Sequence, residues 1–213
     1  MTGRKDKSAA IMYSSITEAA GEAMNGIACG ICKKRTKGKT MIILITGATH
    51  TGKTLLAQRL LEKYSCPYLS IDHLKMGLIR SGCTNLTPED EEELTEYLWP
   101  VIREIVKTAI ENRQDLIVEG CYIPFRWRQD FDEQYAPFIR FICLAMSERY
   151  IGNHFREIIG HEAEIECRET GGNTTMDGLK ADNRRMIDGF RAAGEQVVLI
   201  DADYEGTIGK LLE

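Results

Sequence analysis

The sequence predicts an α/β fold in which a five-stranded parallel sheet lies between two layers of helices. Along residues 41–213, five short apolar segments alternate with segments of helical spacing, a pattern typical of a parallel sheet covered by helices. The first segment, 41–46, is a continuous apolar and β-branched run, as expected for a strand that is buried on both faces. Together these two observations predict a three-layer architecture.

The individual elements follow in a regular order. After the first strand, we expect a helix over about 52–64, a short strand over 67–71 and a helix that begins at Asp72. Thr87 and Pro88 predict the start of a long helix to about residue 112, which Pro100 should kink or divide. The remaining elements are strands over 116–119, 138–145 and 196–200 and helices over about 125–135, 147–160, 175–193 and from Tyr204 onward.

Composition and cysteine usage limit the class of protein. The 213 residues are 43% hydrophobic and suit one domain of ordinary size, and no apolar run is long enough to predict a membrane span. Seven cysteines, an odd number spread along the chain, favour a reducing, cytosolic setting over a secreted disulfide framework. Cys29 and Cys32 form a lone C-x-x-C pair, which we interpret as incidental thiols.

Charge is distributed unevenly along the chain. Residues 1–40 hold eight Lys or Arg and three Asp or Glu, whereas residues 41–213 hold 19 and 29. We therefore expect residues 1–40 to form a basic, mostly mobile extension that precedes a domain starting near Met41. Met41 is a candidate for the natural start of the protein. The acidic main body argues against a nucleic-acid-binding surface.

A complete phosphate-binding motif follows the first predicted strand. The segment Gly47-Ala48-Thr49-His50-Thr51-Gly52-Lys53-Thr54 matches G-x-x-x-x-G-K-[ST] and opens the first predicted helix. In this context, backbone N–H groups wrap the nucleotide phosphates, Lys53 reaches the β- and γ-phosphates, and the Thr54 hydroxyl holds Mg²⁺. The motif therefore predicts that the chain binds ATP with Mg²⁺, and we interpret His50 as a loop residue.

Two classes of nucleotide-binding protein do not fit the rest of the sequence. GTPases need D-x-x-G and N-K-x-D motifs, but the nearest matches, 203–206 and 112–115, are misplaced in the predicted topology. Motor-type ATPases carry a strand that ends in paired acids, whereas the third strand ends in Glu119 alone.

Residues 41–212 resemble the adenylate-kinase-like small-molecule kinases. The resemblance rests on the phosphate-binding loop and on Asp72, which follows the second strand where these kinases place a carboxylate that orients the acceptor or acts as general base. It implies the strand order 2-3-1-4-5 and a helical lid over about 147–174. The alternative interpretation of Asp72 is a helix N-cap.

The third strand and the residues after it resemble the corresponding segment of 2-phosphoglycerate kinases and, more loosely, of zeta-toxin-type kinases. The segment is Leu116-Ile-Val-Glu119-Gly120-Cys-Tyr-Ile-Pro124, and the resemblance implies that Glu119 binds either the hydrated Mg²⁺ or the acceptor. Arg126 and Arg128 follow and could bind an anionic acceptor. The alternatives are a buried acid paired with an arginine and ordinary surface charge.

Arginines of the predicted lid are candidates for neutralising the transferring phosphoryl group. Ser147–Arg156 loosely resembles the His/Arg/Phe cluster of 2-phosphoglycerate kinases, which makes Arg156 the first candidate catalytic arginine and Arg149 the second. Arg184 or its neighbour Arg185 would add a phosphate contact from the helix that returns from the lid, and we name Arg184. The alternative is a set of helix surface pairs.

The sequence thus predicts an ATP- and Mg²⁺-dependent kinase that phosphorylates a hydroxyl group of a small molecule, with Lys53, Asp72 and Arg156 as catalytic residues. Arg80, together with the arginines after the third strand, weakly favours an anionic acceptor. Two alternatives stay open, namely a regulatory ATPase that uses no acceptor and a toxin-like kinase of nucleotide sugars. The expected partner is a small molecule, without nucleic acid or membrane, and the sequence indicates no oligomeric state.

Overall fold

The computed structural model describes residues 40–160 and 174–212. Five strands lie in this part of the chain: β1 (Ile42–Gly47), β2 (Tyr68–Ser70), β3 (Leu116–Glu119), β4 (Ile139–Met146) and β5 (Val197–Ile200). The α-helices described are α1 (Lys53–Tyr64), α2 (Ile71–Arg80), α3 (Glu91–Glu111), α4 (Glu148–Gly160), α5 (Met176–Ala192) and α6 (Tyr204–Leu212).

The strands form one parallel sheet in the order β2-β3-β1-β4-β5, which confirms the predicted fold class and topology. Strand β1 lies at the centre, and all six of its residues are buried. Glu119 at the end of β3 is in register with Ile45 of β1 on one side and with Ser70 of β2 on the other. The carboxyl ends of β1, β2 and β3 therefore meet at one edge of the sheet.

The two faces of β1 belong to two separate parts of the core. Ile42 and Leu44 pack in a cluster with residues of α3 and α5. Ile43 and Ile45 pack in a second cluster with residues of α1 and α6. Because successive side chains of a strand point to opposite faces, an uninterrupted apolar run suits only a strand that is covered on both sides.

Helix α3 begins later than predicted, and of the two effects predicted for Pro100, a kink or a division, the division does not occur. It begins at Glu91, because Asp90 turns its carboxylate back to the N–H and hydroxyl groups of Thr87, at 2.7 and 3.0 Å, and residues 87–90 form a turn before the helix. It also continues through Pro100 to Glu111. Both Pro100 and the residue four positions before it, Glu96, are exposed, so water can satisfy the carbonyl group that proline leaves without a donor.

The short helix expected over 125–135 is replaced by two separate 3₁₀ helices, Trp127–Asp130 and Ala136–Phe138. Trp127 is fully buried and stacks on Phe141 of β4 with 5.0 Å between ring centroids. This packing fixes the first turn against the sheet, and Asp132 then redirects the chain by accepting the N–H of Gln134 at 2.9 Å.

Some expectations concern residues outside the described ranges. The predicted basic extension, 1–40, lies outside the described residues except for Thr40, and so do residues 161–173 of the predicted lid, so both stay predictions. Within the described part, no helix combines the length and the apolar character that crossing a membrane requires.

Candidate active site

The phosphate-binding loop connects β1 to α1, and its shape requires glycine at two positions. Gly47 has φ 143° and Gly52 has φ 77°, both in the region that L-amino acids with side chains rarely adopt. A Cβ atom at Gly47 would collide with the Leu144 carbonyl oxygen, and one at Gly52 would collide with the Tyr204 hydroxyl. The loop therefore lies directly against β4 and α6, and this contact fixes its path.

Lys53, the motif lysine, is buried within the site rather than extended into solvent. Only 8% of the residue is exposed, and its Nζ donates a hydrogen bond to the Ala48 carbonyl oxygen at 2.8 Å. Burial lowers the Lys53 pKa, but the nearby Cys121, Glu119 and Asp72 outweigh burial and raise the pKa above its ordinary value. The ammonium group is thus held charged at the loop.

Asp72 lies in the first turn of α2 but does not cap that helix. The N-cap is Ser70, whose hydroxyl accepts the His73 N–H at 3.4 Å. The Asp72 carboxylate instead accepts a hydrogen bond from Lys75 at 2.7 Å. Because Ser70 takes the capping position, the N-cap interpretation of Asp72 is wrong.

Lys75 connects Asp72 to the residues that follow β3. Its Nζ also donates to the Tyr122 hydroxyl at 2.9 Å, and only 11% of its side chain is exposed. Burial lowers the Lys75 pKa, whereas the hydrogen bonds to Asp72 and Tyr122 raise it, and the net result is a raised pKa. Asp72, Lys75 and Tyr122 therefore form one hydrogen-bonded group, which we call the Asp72 triad.

Glu119 ends β3 beside the loop and is almost completely buried, with 2% of the residue exposed. The Tyr68 hydroxyl donates a hydrogen bond to its carboxylate at 3.0 Å. Its neighbour on β1 is Ile45, which lies just before the loop, and its neighbour on β2 is Ser70, which lies two residues before Asp72. A buried carboxylate in this position can serve the metal side or the acceptor side of a reaction.

The candidate arginines of α4 and α5 lie in different environments. Arg184 on α5 pairs with Glu148 on α4, and Arg149 pairs with Asp201. Arg156 is exposed and has no ion-pair partner in the described part of the chain. None of these side chains contacts the loop among the residues described, so the structure brings together the loop, Asp72 and Glu119 but leaves the arginines outside this group.

The two arginines after β3 also lie apart from the loop. Arg128 donates two hydrogen bonds to the Glu195 carboxylate, at 2.7 and 2.9 Å, just before β5 begins. Arg126 is exposed, and among the described residues it contacts neither the loop nor Glu119. The charge of Arg128 is therefore already balanced within the protein.

A contact that sequence reasoning missed joins α5 to the loop. The Thr49 backbone N–H donates a hydrogen bond to the Asp182 carboxylate at 2.8 Å. The other oxygen of Asp182 accepts a hydrogen bond from Arg185 at 3.1 Å. No local pattern could predict this pairing, because 133 positions separate Thr49 from Asp182. The pairing of Lys75 with Asp72 is different, since a spacing of three residues on a helix is a sequence pattern that indicates such an ion pair.

A comparison with protein-family models and one with curated proteins found no match. Among solved structures, a sugar kinase from Janibacter sp. HTCC2649 has a TM-score of 0.51 and 15% identity, over 81% of this chain and 92% of that chain. The deoxyadenosine kinase from M. mycoides with bound dATP has a TM-score of 0.50 and 13% identity, over 81% and 97%. A candidate kinase from Chloroflexus aurantiacus j-10-fl has a TM-score of 0.50 and 20% identity, over 82% and 97%.

These structural neighbours are kinases by name, and at such low identities their likeness shows a shared fold. The finer resemblance to 2-phosphoglycerate kinases and zeta-toxin-type kinases stays a prediction, as do the roles of the individual site residues.

Proposed function

We propose that this chain is a kinase that transfers the γ-phosphoryl group of ATP, in the presence of Mg²⁺, to a hydroxyl group of a small molecule. One observation carries the proposal: Glu119 ends β3 in register with Ile45, which lies just before the phosphate-binding loop, and with Ser70, which lies two residues before Asp72. The loop and both carboxylates are therefore placed at the same carboxyl edge of the sheet. Phosphoryl transfer depends mainly on positioning and charge stabilisation, and it requires a phosphate site next to a group that accepts the hydroxyl proton.

Each group would have a distinct part in the reaction. The loop N–H groups and Lys53 bind the β- and γ-phosphates, and a phosphate oxygen replaces the Ala48 carbonyl as the acceptor for Lys53. The hydroxyl oxygen of the acceptor forms a bond to the γ-phosphorus while the bond from that phosphorus to the bridging oxygen breaks. ADP leaves with the electron pair of that bond, and the hydroxyl proton passes to Asp72.

The metal ion fits the oxygen donors at this edge of the sheet. In residues 40–160 and 174–212, no group of three or more His, Cys, Asp or Glu side chains is arranged to hold a metal. Mg²⁺ needs no such cage, since it keeps several waters and binds phosphate oxygens together with one or two protein oxygens. Thr54 and Glu119 are the residues we propose for it, and the ion would supply positive charge to the phosphates.

The experiment that tests the proposal is a phosphoryl-transfer screen with Mg·ATP. The acceptor panel contains sugars, nucleosides, sugar phosphates, hydroxy acids and nucleotide sugars, and the first two classes follow the names of the structural neighbours. We expect transfer to at least one class by the wild-type protein and loss of that transfer by Lys53→Met.

Other results of the screen would overturn the proposal or redirect it. ATP hydrolysis that no acceptor changes would favour a regulatory ATPase, and transfer confined to nucleotide sugars would favour a toxin-like kinase. Equal transfer by wild type and Lys53→Met would remove the loop from the mechanism.

A further inference from the structure

The contact between Asp182 and the phosphate-binding loop presents an electrostatic problem. Its carboxylate lies 2.8 Å from the Thr49 backbone nitrogen, in a loop whose N–H groups bind phosphate. A carboxylate so close to an anion-binding loop repels a nucleotide unless a nearby cation balances its charge.

Arg185 supplies that balancing charge. Its Nη2 donates to the second oxygen of Asp182 at 3.1 Å, and 56% of its side chain is exposed. A guanidinium group carries five N–H donors in a planar fork, so one hydrogen bond to Asp182 leaves others for a phosphate. Asp182 therefore connects Arg185 to the loop through its two carboxylate oxygens.

The adjacent arginine has a different environment. Successive residues of an α-helix point about 100° apart around its axis. In agreement with this geometry, Arg184 pairs with Glu148 on α4, whereas Arg185 pairs with Asp182, whose other carboxylate oxygen accepts the Thr49 N–H of the loop. Of these two neighbouring arginines, only Arg185 is linked to the loop among the described residues.

We propose that Asp182 is a positioning residue that fastens α5 to the phosphate-binding loop and holds Arg185 where it binds the nucleotide phosphates. This inference rests on the proposed function, because it assumes that the loop binds ATP. It assigns the phosphate contact of α5 to Arg185 in place of Arg184, and it gives Asp182 an indirect part in nucleotide binding.

Calorimetric titration of the full chain with Mg·ATP and Mg·ADP tests the inference without knowledge of the acceptor. We expect Arg185→Ala to weaken ATP binding by roughly 10- to 100-fold, the usual effect of losing a hydrogen bond between charged groups. Arg191→Ala is the matched control, since Arg191 is exposed on the same helix and its side chain has no partner in the described region. A greater loss from Arg184→Ala than from Arg185→Ala would overturn the assignment.

Asp182→Asn separates positioning from simple repulsion. The amide oxygen can still accept the Thr49 N–H, but the ionic attraction to Arg185 is lost. If Asp182 positions Arg185, the variant binds ATP more weakly, and the double variant with Arg185→Ala is no weaker than Arg185→Ala alone. Tighter binding by Asp182→Asn, or losses that add fully in the double variant, would contradict the inference.

The titration also distinguishes a failure of this inference from a failure of the proposed kinase function on which it rests. If the wild-type chain binds Mg·ATP and Arg185→Ala binds it equally well, the inference alone is wrong. If the wild-type chain binds neither Mg·ATP nor Mg·ADP, the proposed function is wrong and the inference falls with it. Thermal unfolding of each variant checks that a loss of binding is not a loss of folded protein.

Discussion

The ammonium group of Lys75 lies 2.7 Å from one carboxylate oxygen of Asp72 and 2.9 Å from the Tyr122 hydroxyl. A half-buried lysine with two polar partners restricts the orientation of the carboxylate that it binds. If Asp72 accepts the proton of the acceptor hydroxyl, then Lys75 and Tyr122 determine the direction in which that carboxylate faces. The Asp72 triad would in this way hold the Asp72 carboxylate in one orientation.

We predict that Lys75→Met lowers kcat by about tenfold or more and leaves the KM for ATP nearly unchanged, since a misdirected base slows transfer without altering the phosphate site. Tyr122→Phe should have a smaller effect in the same direction, because the ion pair between Lys75 and Asp72 remains. Steady-state kinetics with the acceptor identified by the screen measures both. A rise in the KM for ATP with unchanged kcat would contradict the prediction.

Lys53→Met should reduce phosphoryl transfer by roughly two to three decades, the effect expected for loss of a charged contact that strengthens in the transition state. Methionine is a better test residue than alanine because Lys53 is only 8% exposed, and an apolar side chain of similar length preserves the packing around it. Circular dichroism should show an unchanged fold. A variant that retains wild-type turnover would be incompatible with a role for Lys53.

Asp72 and Glu119 should respond differently to neutral replacement. Asp72→Asn is expected to lower kcat by roughly 10²- to 10⁴-fold with little change in nucleotide affinity, as for a general base. Glu119→Gln should mainly raise the Mg²⁺ concentration needed for half-maximal activity. Activity measured at a series of Mg²⁺ concentrations for both variants tests this division of roles. Identical dependence on Mg²⁺ in the two variants would refute it.

Gly52→Ala should abolish nucleotide binding and lower the free energy of unfolding. The new Cβ meets the Tyr204 hydroxyl, and φ at this position is 77°. Gly82→Ala is the matched control, because φ there is 73° but nothing lies within 4 Å of the added Cβ. The control should lose only about 1–2 kcal/mol, the cost of the left-handed conformation, in urea unfolding. Equal losses would show that the Tyr204 contact is unimportant.

Tyr204 should make the fold sensitive to alkaline pH. Burial raises its pKa from 10.0 to about 12, so above pH 10 the unfolded chain loses a proton that the folded chain retains. The stabilising contribution is complete below pH 10 and is lost as pH rises toward 12. Melting temperature across this range should fall less steeply for Tyr204→Phe than for wild type, and equal slopes would contradict the prediction.

Local patterns along the chain were sufficient to predict most of the fold. The apolar run of β1 and the motif from Gly47 to Thr54 depend on residues that are neighbours in sequence, so their spacing predicts their structure directly. The strand order followed from the family resemblance, and the sheet confirms it. Asp72 and Glu119 were likewise named from the family resemblance, and their roles stay predictions.

Tertiary structure decided which partners the charged side chains choose. The sequence named Arg184, yet helix rotation directs Arg184 to Glu148 and Arg185 to Asp182. The sequence predicted that Pro100 would kink or divide the helix, and exposure of that helix face lets α3 continue without division. The contact between Thr49 and Asp182 joins residues 133 positions apart. Such pairings depend on how packed helices are rotated and how far apart they lie, and no local spacing in the sequence encodes either quantity.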